Sequence, residues 1–175
     1  MVPCTREILG LARDGTFALI NPGAAWSNKR WPAERFGDVA RRLWERQGLR
    51  SAVLWGPDEA TLAAAVVRAS GDAARMAPQT TMVEILALAR AASVMVSGDT
   101  GPLHLAAAAG TPVVGVYGPT PPGRNGPWDP LDKVVSSHAA CACAFKRQCT
   151  ARTWCLEQVT VDAVTAAVLS RLGAA

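Results

Sequence analysis

The residues of this sequence best suited to hold a charged ligand are Gly98-Asp99-Thr100-Gly101, with His104 three positions on. The apolar run Ser93–Ser97 before them reads as a buried strand, and Pro102-Leu103-His104-Leu105-Ala106 after them reads as a helix whose first position is Pro102. The two glycines permit a tight turn with close backbone approach. Free amides and the positive end of a helix dipole at the end of a strand favour phosphate, and His104 falls on the first helical turn beside them. The bland alternative is an ordinary turn in which Asp99 and Thr100 only cap the helix. It is weakened by the alanines that follow, which let the helix lie close to a sheet.

Three other groups carry chemistry-bearing side chains. Asn21-Pro22-Gly23, running to Lys29 and Arg30, is a loop whose cations could reach over an anion and offset charge on a departing phosphate, or simply face solvent. Trp31 beside it reads as a packing residue. Gly56-Pro57-Asp58-Glu59 places carboxylates at a strand end; one could accept from ribose hydroxyls, and Asp58 could equally cap the next helix. Cys141, Cys143, Cys149 and Cys155 fall close together in a basic loop with Lys146, Arg147 and Arg152. Their spacing lacks the paired C-x2-C of common zinc sites, so plain thiols stand beside a disulfide and a zinc or iron–sulfur site as readings. No G-x-G-x-x-G and no P-loop is present, which disfavours a dinucleotide enzyme and a P-loop kinase.

The elements that must position these residues alternate along the chain. Strands are expected at 17–20, 51–55, 74–76, 93–97, 113–117 and 133–136, and helices at 5–14, 32–47, 59–69, 81–91, 102–109 and 160–172. Short continuous apolar strands alternating with helices imply an α/β fold, a parallel sheet with helices on both faces. The loops at 21–30, 56–58, 98–101 and 118–127 all follow strands and should share one rim.

With 175 residues, half hydrophobic and 18% charged, the chain can bury a sizeable core and has no disordered composition. Its net charge is +4. Arginines spread along helices (Arg41, Arg42, Arg46, Arg68, Arg90) read as a solvated face, with attraction to an anionic ligand or membrane surface as the alternative. No basic stripe or motif points to nucleic acid. No apolar run reaches the ~20 residues that span a bilayer, and the first residues do not resemble a secretory signal. The expected location is the cytoplasm, where the five cysteines would be mostly reduced.

Three segments together resemble one family: Asn21-Pro22-Gly23 with Lys29-Arg30-Trp31-Pro32-Ala33-Glu34-Arg35-Phe36, then Leu54-Trp55-Gly56-Pro57, then Val96 through Ala108 running into Gly110–Thr120. They are similar to the donor-binding, C-terminal half of the ADP-heptose:lipopolysaccharide heptosyltransferases, glycosyltransferase family 9, over about residues 15–172. The resemblance implies one Rossmann-like half of a GT-B architecture: residues 1–15 from the interdomain region, then a nucleotide-sugar-binding domain over 16–175 with a cysteine-rich loop at 138–155. It implies an inverting heptose transfer from ADP-heptose with no cofactor or metal required. The lipid A–core acceptor and the catalytic carboxylate would belong to an N-terminal domain outside this chain, leaving the chain alone inactive. Carried over by position, Thr100, Gly101 and His104 would grip the diphosphate, Asp99 would contact the sugar, and Lys29 would offset charge on the departing nucleotide. Asp58 would take the ribose, where the family often has a glutamate. Gly23, Ala24 and Ala25 would line the phosphates by backbone contact, since some members carry hydroxyl residues at the two alanines. The implied setting is the cytoplasm at the inner face of the inner membrane, with a homodimer through the exposed domain face as a further partner. A non-catalytic nucleotide-binding module, and a GT-B enzyme with another nucleotide sugar, are the competing readings.

Overall fold

The computed structural model describes Ile8 and residues 15–174; the helix expected at 5–14 lies outside the described residues apart from Ile8. Among the described residues six strands form one sheet: β1 (Phe17–Asn21), β2 (Arg50–Val53), β3 (Ala74–Met76), β4 (Val94–Gly98), β5 (Val113–Tyr117) and β6 (Lys133–Ser136). All pairings are parallel, in the order β3-β2-β1-β4-β5-β6. This is the Rossmann-like arrangement that the sequence implied. Its helices are α1 (Ala33–Gln47), α2 (Ala60–Ala69), α3 (Met82–Ala91), α4 (Gly101–Ala108), a single turn α5 (Pro122–Asn125) and α6 (Val161–Gly173).

The strands are continuous apolar runs because both faces of the sheet are covered. Ala18 and Ile20 of β1 face a core built with Phe36, Val39 and Leu43 of α1, Val66 of α2, and Val164 and Val168 of α6. Phe17 and Leu19, pointing the other way, pack with Leu88 of α3 and with Leu103 and Ala106 of α4. Alpha-helix α1 ends where Gly48 takes φ +63, its N–H bonding back to Leu43 and Trp44. At the start of α3, Thr81 and Glu84 form a reciprocal capping box. Trp31 is buried, edge-on to Phe36 at 4.9 Å, and donates from Nε1 to the Val159 carbonyl at 3.1 Å. It is a packing residue, as expected.

Three local expectations are corrected. Asp58 does not cap α2: it adopts φ +64, and the cap position falls to Glu59, whose side chain makes no capping bond. Gly101 rather than Pro102 opens α4, placing the proline second, where an intrahelical N–H is still not required. The Pro/Gly-rich stretch after β5 is not all loop, since Pro122–Asn125 makes one helical turn.

Candidate functional site

Strands β1 and β4 are neighbours, but the chain leaves them toward opposite faces: β1 leads to α1 on one side, β4 to α4 on the other. Ligands of such sheets bind where connections part in this way, beyond the carboxyl ends of the strands. A cleft of about 350 Å³ occupies that place, lined by Asn21, Gly23, Ala24, Ala25, Trp26, Lys29, Glu59, Asp99, Thr100, Gly101 and Pro102. Its size falls within the range of small-molecule sites. Loops 21–30 and 98–101 therefore meet as expected.

The two walls are fastened together at their base. Asn21 Nδ2 lies 3.0 Å from Ser97 Oγ and 3.1 Å from Thr100 Oγ1, and the two hydroxyls are 3.0 Å apart. Gly98 permits a close approach from the opposite wall: a Cβ there would lie 2.9 Å from the Lys29 carbonyl oxygen.

Asp99 is the electrostatic centre. It is 6% exposed, and its Oδ2 accepts from Lys29 Nζ at 2.6 Å, Thr120 Oγ1 at 2.7 Å and Asn125 Nδ2 at 3.0 Å. Its Oδ1 pairs with His104 Nε2 at 2.9 Å. Burial disfavours the charge, but the hydrogen bonds from Lys29, Thr120, Asn125 and His104 outweigh it and hold the carboxyl down at about 2. Asp99 thus fixes Lys29 from the β1 loop, His104 from α4 and the turn after β5 around one fixed negative charge. The last of these is braced again by Tyr117, whose hydroxyl donates to the Asn125 carbonyl at 2.7 Å. Burial, reinforced by the nearby Asp99 charge, pushes the Tyr117 phenol well above its ordinary value, so it remains a donor.

The carboxylate at the mouth is Glu59, not Asp58. Asp58 is exposed and does not line the cleft, while Glu59 Oε2 accepts the Gly56 N–H at 2.9 Å and Oε1 lies 3.7 Å from Arg30 Nη2. A Cβ on Gly23 would overlap the Glu59 carboxylate, so that glycine makes room for the acid. His104, half-exposed, borders a separate pocket with Ala107, Ala108, Pro127, Trp128 and Asp129, and is tied to the cleft through Asp99. Ala24 is buried and Ala25 exposed, both at the cleft wall. Sequence reasoning had not singled out Asn21, Trp26, Thr120 or Asn125 individually. Asn21, directly after an apolar strand and before Pro-Gly, carried the one usable signal.

The cysteine loop braces the rim. Asn28 Nδ2 donates to the Lys146 carbonyl at 2.7 Å and Trp154 Nε1 to the Asn28 carbonyl at 3.0 Å. Cys143 and Cys149 form a disulfide, while Cys141 and Cys155 are thiols with sulfurs 3.1 Å apart. Burial and the Cys141 contact push the Cys155 thiol up to about 11, so it stays protonated. Among the described residues no three His, Cys, Asp or Glu side chains are grouped to hold a metal ion, and no helix is long and apolar enough to cross a membrane.

Residues 5–155 match the model of Glycosyltransferase family 9 (heptosyltransferase). Lipopolysaccharide heptosyltransferase 1 of Pseudomonas aeruginosa is 30% identical over 146 residues, covering 83% of this chain and 41% of that protein. The structure of E. coli heptosyltransferase WaaC with ADP superposes with a TM-score of 0.72 at 25% identity, over 89% of this chain and 44% of that one. A family 9 glycosyltransferase from Veillonella parvula shares the fold with a TM-score of 0.80 at 24% identity, over 98% of this chain and 50% of its own. The chain thus spans about half or less of the length of each of these relatives.

Proposed function

This chain belongs to glycosyltransferase family 9, and from that premise we propose that it is the nucleotide-sugar-binding half of a heptosyltransferase, its β1/β4 cleft taking ADP-heptose. The observation that carries the proposal is the convergence of the β1 loop, Glu59, Asp99 and the first turn of α4 on one cleft of about 350 Å³. The α4 terminus supplies backbone amides and the positive end of a helix dipole, the environment that favours a diphosphate. Thr100 and Gly101 hold the diphosphate there, and Gly23, Ala24 and Ala25 line it from the opposite wall by backbone alone. Glu59, at the mouth, takes over the ribose contact that position alone had assigned to Asp58.

Lys29 is held 2.6 Å from Asp99, so its charge is positioned before any ligand arrives. When the bond between the sugar's anomeric carbon and the nucleotide oxygen breaks, negative charge grows on that oxygen, and a fixed ammonium stabilises it without reorganising. Asp99 orients this ammonium and His104 together, and presents its edge to the sugar. An inverting transfer also needs a base to take the proton of the acceptor hydroxyl. That base, and the lipopolysaccharide core acceptor, belong to the remainder of a longer enzyme, acting in the cytoplasm at the inner face of the membrane. The isolated chain binds donor and turns nothing over.

Calorimetry with ADP tests the site. Wild-type chain binds ADP in preference to UDP and GDP; Lys29→Ala weakens binding by about tenfold, the scale of one charge-assisted contact, and His104→Ala weakens it indirectly by removing a bond that holds Asp99. Equal affinity in wild type and both variants would discard the cleft as the donor site, and heptose transfer by the chain alone would refute its incompleteness.

A further inference from the structure

Four cysteines lie in the loop 138–155, and the fold sorts them into two pairs. Cys143 and Cys149 are already joined, while Cys141 and Cys155 keep their thiols with sulfurs 3.1 Å apart. A disulfide sets its sulfurs about 2.05 Å apart, so an approach of about 1 Å separates this contact from a bond.

Each partner is held in place by contacts of its own. Cys141 follows the turn His138–Ala140, its N–H bonding back to the His138 carbonyl at 3.0 Å, and His138 Nδ1 lies 3.0 Å from the Gly118 carbonyl oxygen. Cys155 opens the turn Cys155–Gln158, between Trp154, whose indole is bonded to Asn28, and the fully buried Leu156. Gly118 makes room for this sulfur: a Cβ there would lie 3.0 Å from Cys155 Sγ and 2.8 Å from Leu156 Cγ. Both thiols are thus fastened to the turn that leaves β5. The loop between them bonds to the same turn, Phe145 N–H donating to the Pro119 carbonyl at 2.8 Å, and the next residue, Thr120, is the one that donates to Asp99.

The two thiols differ in access. Cys141 is partly exposed and Cys155 is buried. Residues 138–155 carry Lys146, Arg147 and Arg152 and no carboxylate. The Asn28–Lys146 bond brings them beside the β1 loop, where the Arg147 guanidinium and Lys29 Nζ lie 5.7 and 4.6 Å from the centre of the Trp26 ring. This side of the molecule presents positive charge to an approaching anion.

We propose that Cys141 and Cys155 are a reversible oxidation site, converted by an anionic low-molecular-weight disulfide into a second cross-link of this loop. The Cys141 thiolate attacks one sulfur of the oxidant, whose S–S bond breaks; its first half leaves as a thiolate and takes up a proton. Cys155 then gives up its proton and attacks Cys141 Sγ, and the second half leaves as a thiol. The pair loses two electrons and two protons, and the oxidant gains both. The order follows from access: the attacking sulfur has to be reachable, while burial and the Cys141 contact push the Cys155 thiol up to about 11.

Glutathione disulfide, an anion, tests the site against cystamine, a cation. The former links Cys155 to Cys141 in the 175-residue chain, mapped by non-reducing tryptic digestion and fragmentation, and releases two glutathiones per chain. Mild dithiothreitol reverses the reaction. Cystamine reacts severalfold more slowly at low salt, and added salt narrows the difference. Cys155→Ser stops the reaction at glutathione on Cys141, Cys141→Ser leaves Cys155 unmodified, and Cys143→Ser with Cys149→Ser still closes the Cys141–Cys155 link. Closure raises Tm by roughly 5–10 °C. It also slows hydrogen exchange of the Phe145 amide, which bonds to the β5 exit turn. Four results overturn the proposal: Cys155 linked to Cys143 or Cys149 instead of Cys141, a mixed disulfide on wild-type Cys141 that never resolves, closure without a change in Tm, or stoichiometric zinc or iron on these thiols in the reduced protein.

Discussion

Asp99→Asn isolates the charge at the centre of the cleft. The carboxyl is held at about 2 against an ordinary 3.8, so its ionised form favours the folded state by about 2 kcal/mol at neutral pH. Asparagine can keep the geometry: its oxygen can face Lys29, Thr120 and Asn125 while its amide faces His104 Nε2. What disappears is the negative charge itself. The variant should lose about 2 kcal/mol at pH 7, a fall in Tm of roughly 4–8 °C for a chain of this size. The sign of the pH dependence follows from the depressed value. Stability from Asp99 is present above the unfolded pKa and is lost as pH falls through the folded one, so about half of the gap remains at pH 3. Urea unfolding of both proteins from pH 7 to pH 3 measures it. A gap that stays constant over that range, or no gap at pH 7, would refute the claim that four donors stabilise an ionised Asp99.

Other substitutions test neighbouring contacts. Gly23→Ala displaces the Glu59 carboxylate, the movable end of a side chain, and breaks its bond to the Gly56 N–H. Thermal unfolding should change by only about 1 kcal/mol, whereas calorimetry should show ADP affinity down by roughly fivefold. Trp31→Phe removes the indole bond to the Val159 carbonyl, but Arg35 Nη1 still donates to that oxygen at 2.6 Å. Denaturant melts should therefore place its cost near 1 kcal/mol, against about 3–5 kcal/mol for Trp31→Ala, which also empties buried volume.

Strands β1, β4 and β5 were readable because a strand buried on both faces has to be an uninterrupted apolar run, and Phe17–Ile20, Val94–Val96 and Val113–Tyr117 are such runs. The turn at Gly98–Gly101 was readable because its glycines and proline have few other uses. Asp58 misled for a physical reason. The left-handed backbone it adopts is open to Asp without any side-chain signal, and Glu59, not Asp58, lines the cleft. Thr120 and Asn125 were invisible because they act on Asp99 from 21 and 26 residues away, across a crossover that no local pattern specifies. Spacing likewise left the four clustered cysteines undecided, since connectivity depends on which sulfurs the loop brings within reach. Net charge was plain from composition, but its gathering around Trp26 depended on Asn28 meeting Lys146, a contact between segments 118 residues apart.

The divergence of chain direction after β1 and β4 has a consequence for how such a molecule can change. The space between the two exits exists because of winding order, not because core side chains were removed to make it. Much of its lining belongs to the loops that follow β1 and β4. Ligand preference can accordingly drift, or be engineered by grafting residues 22–30, while the apolar layers beneath are left untouched.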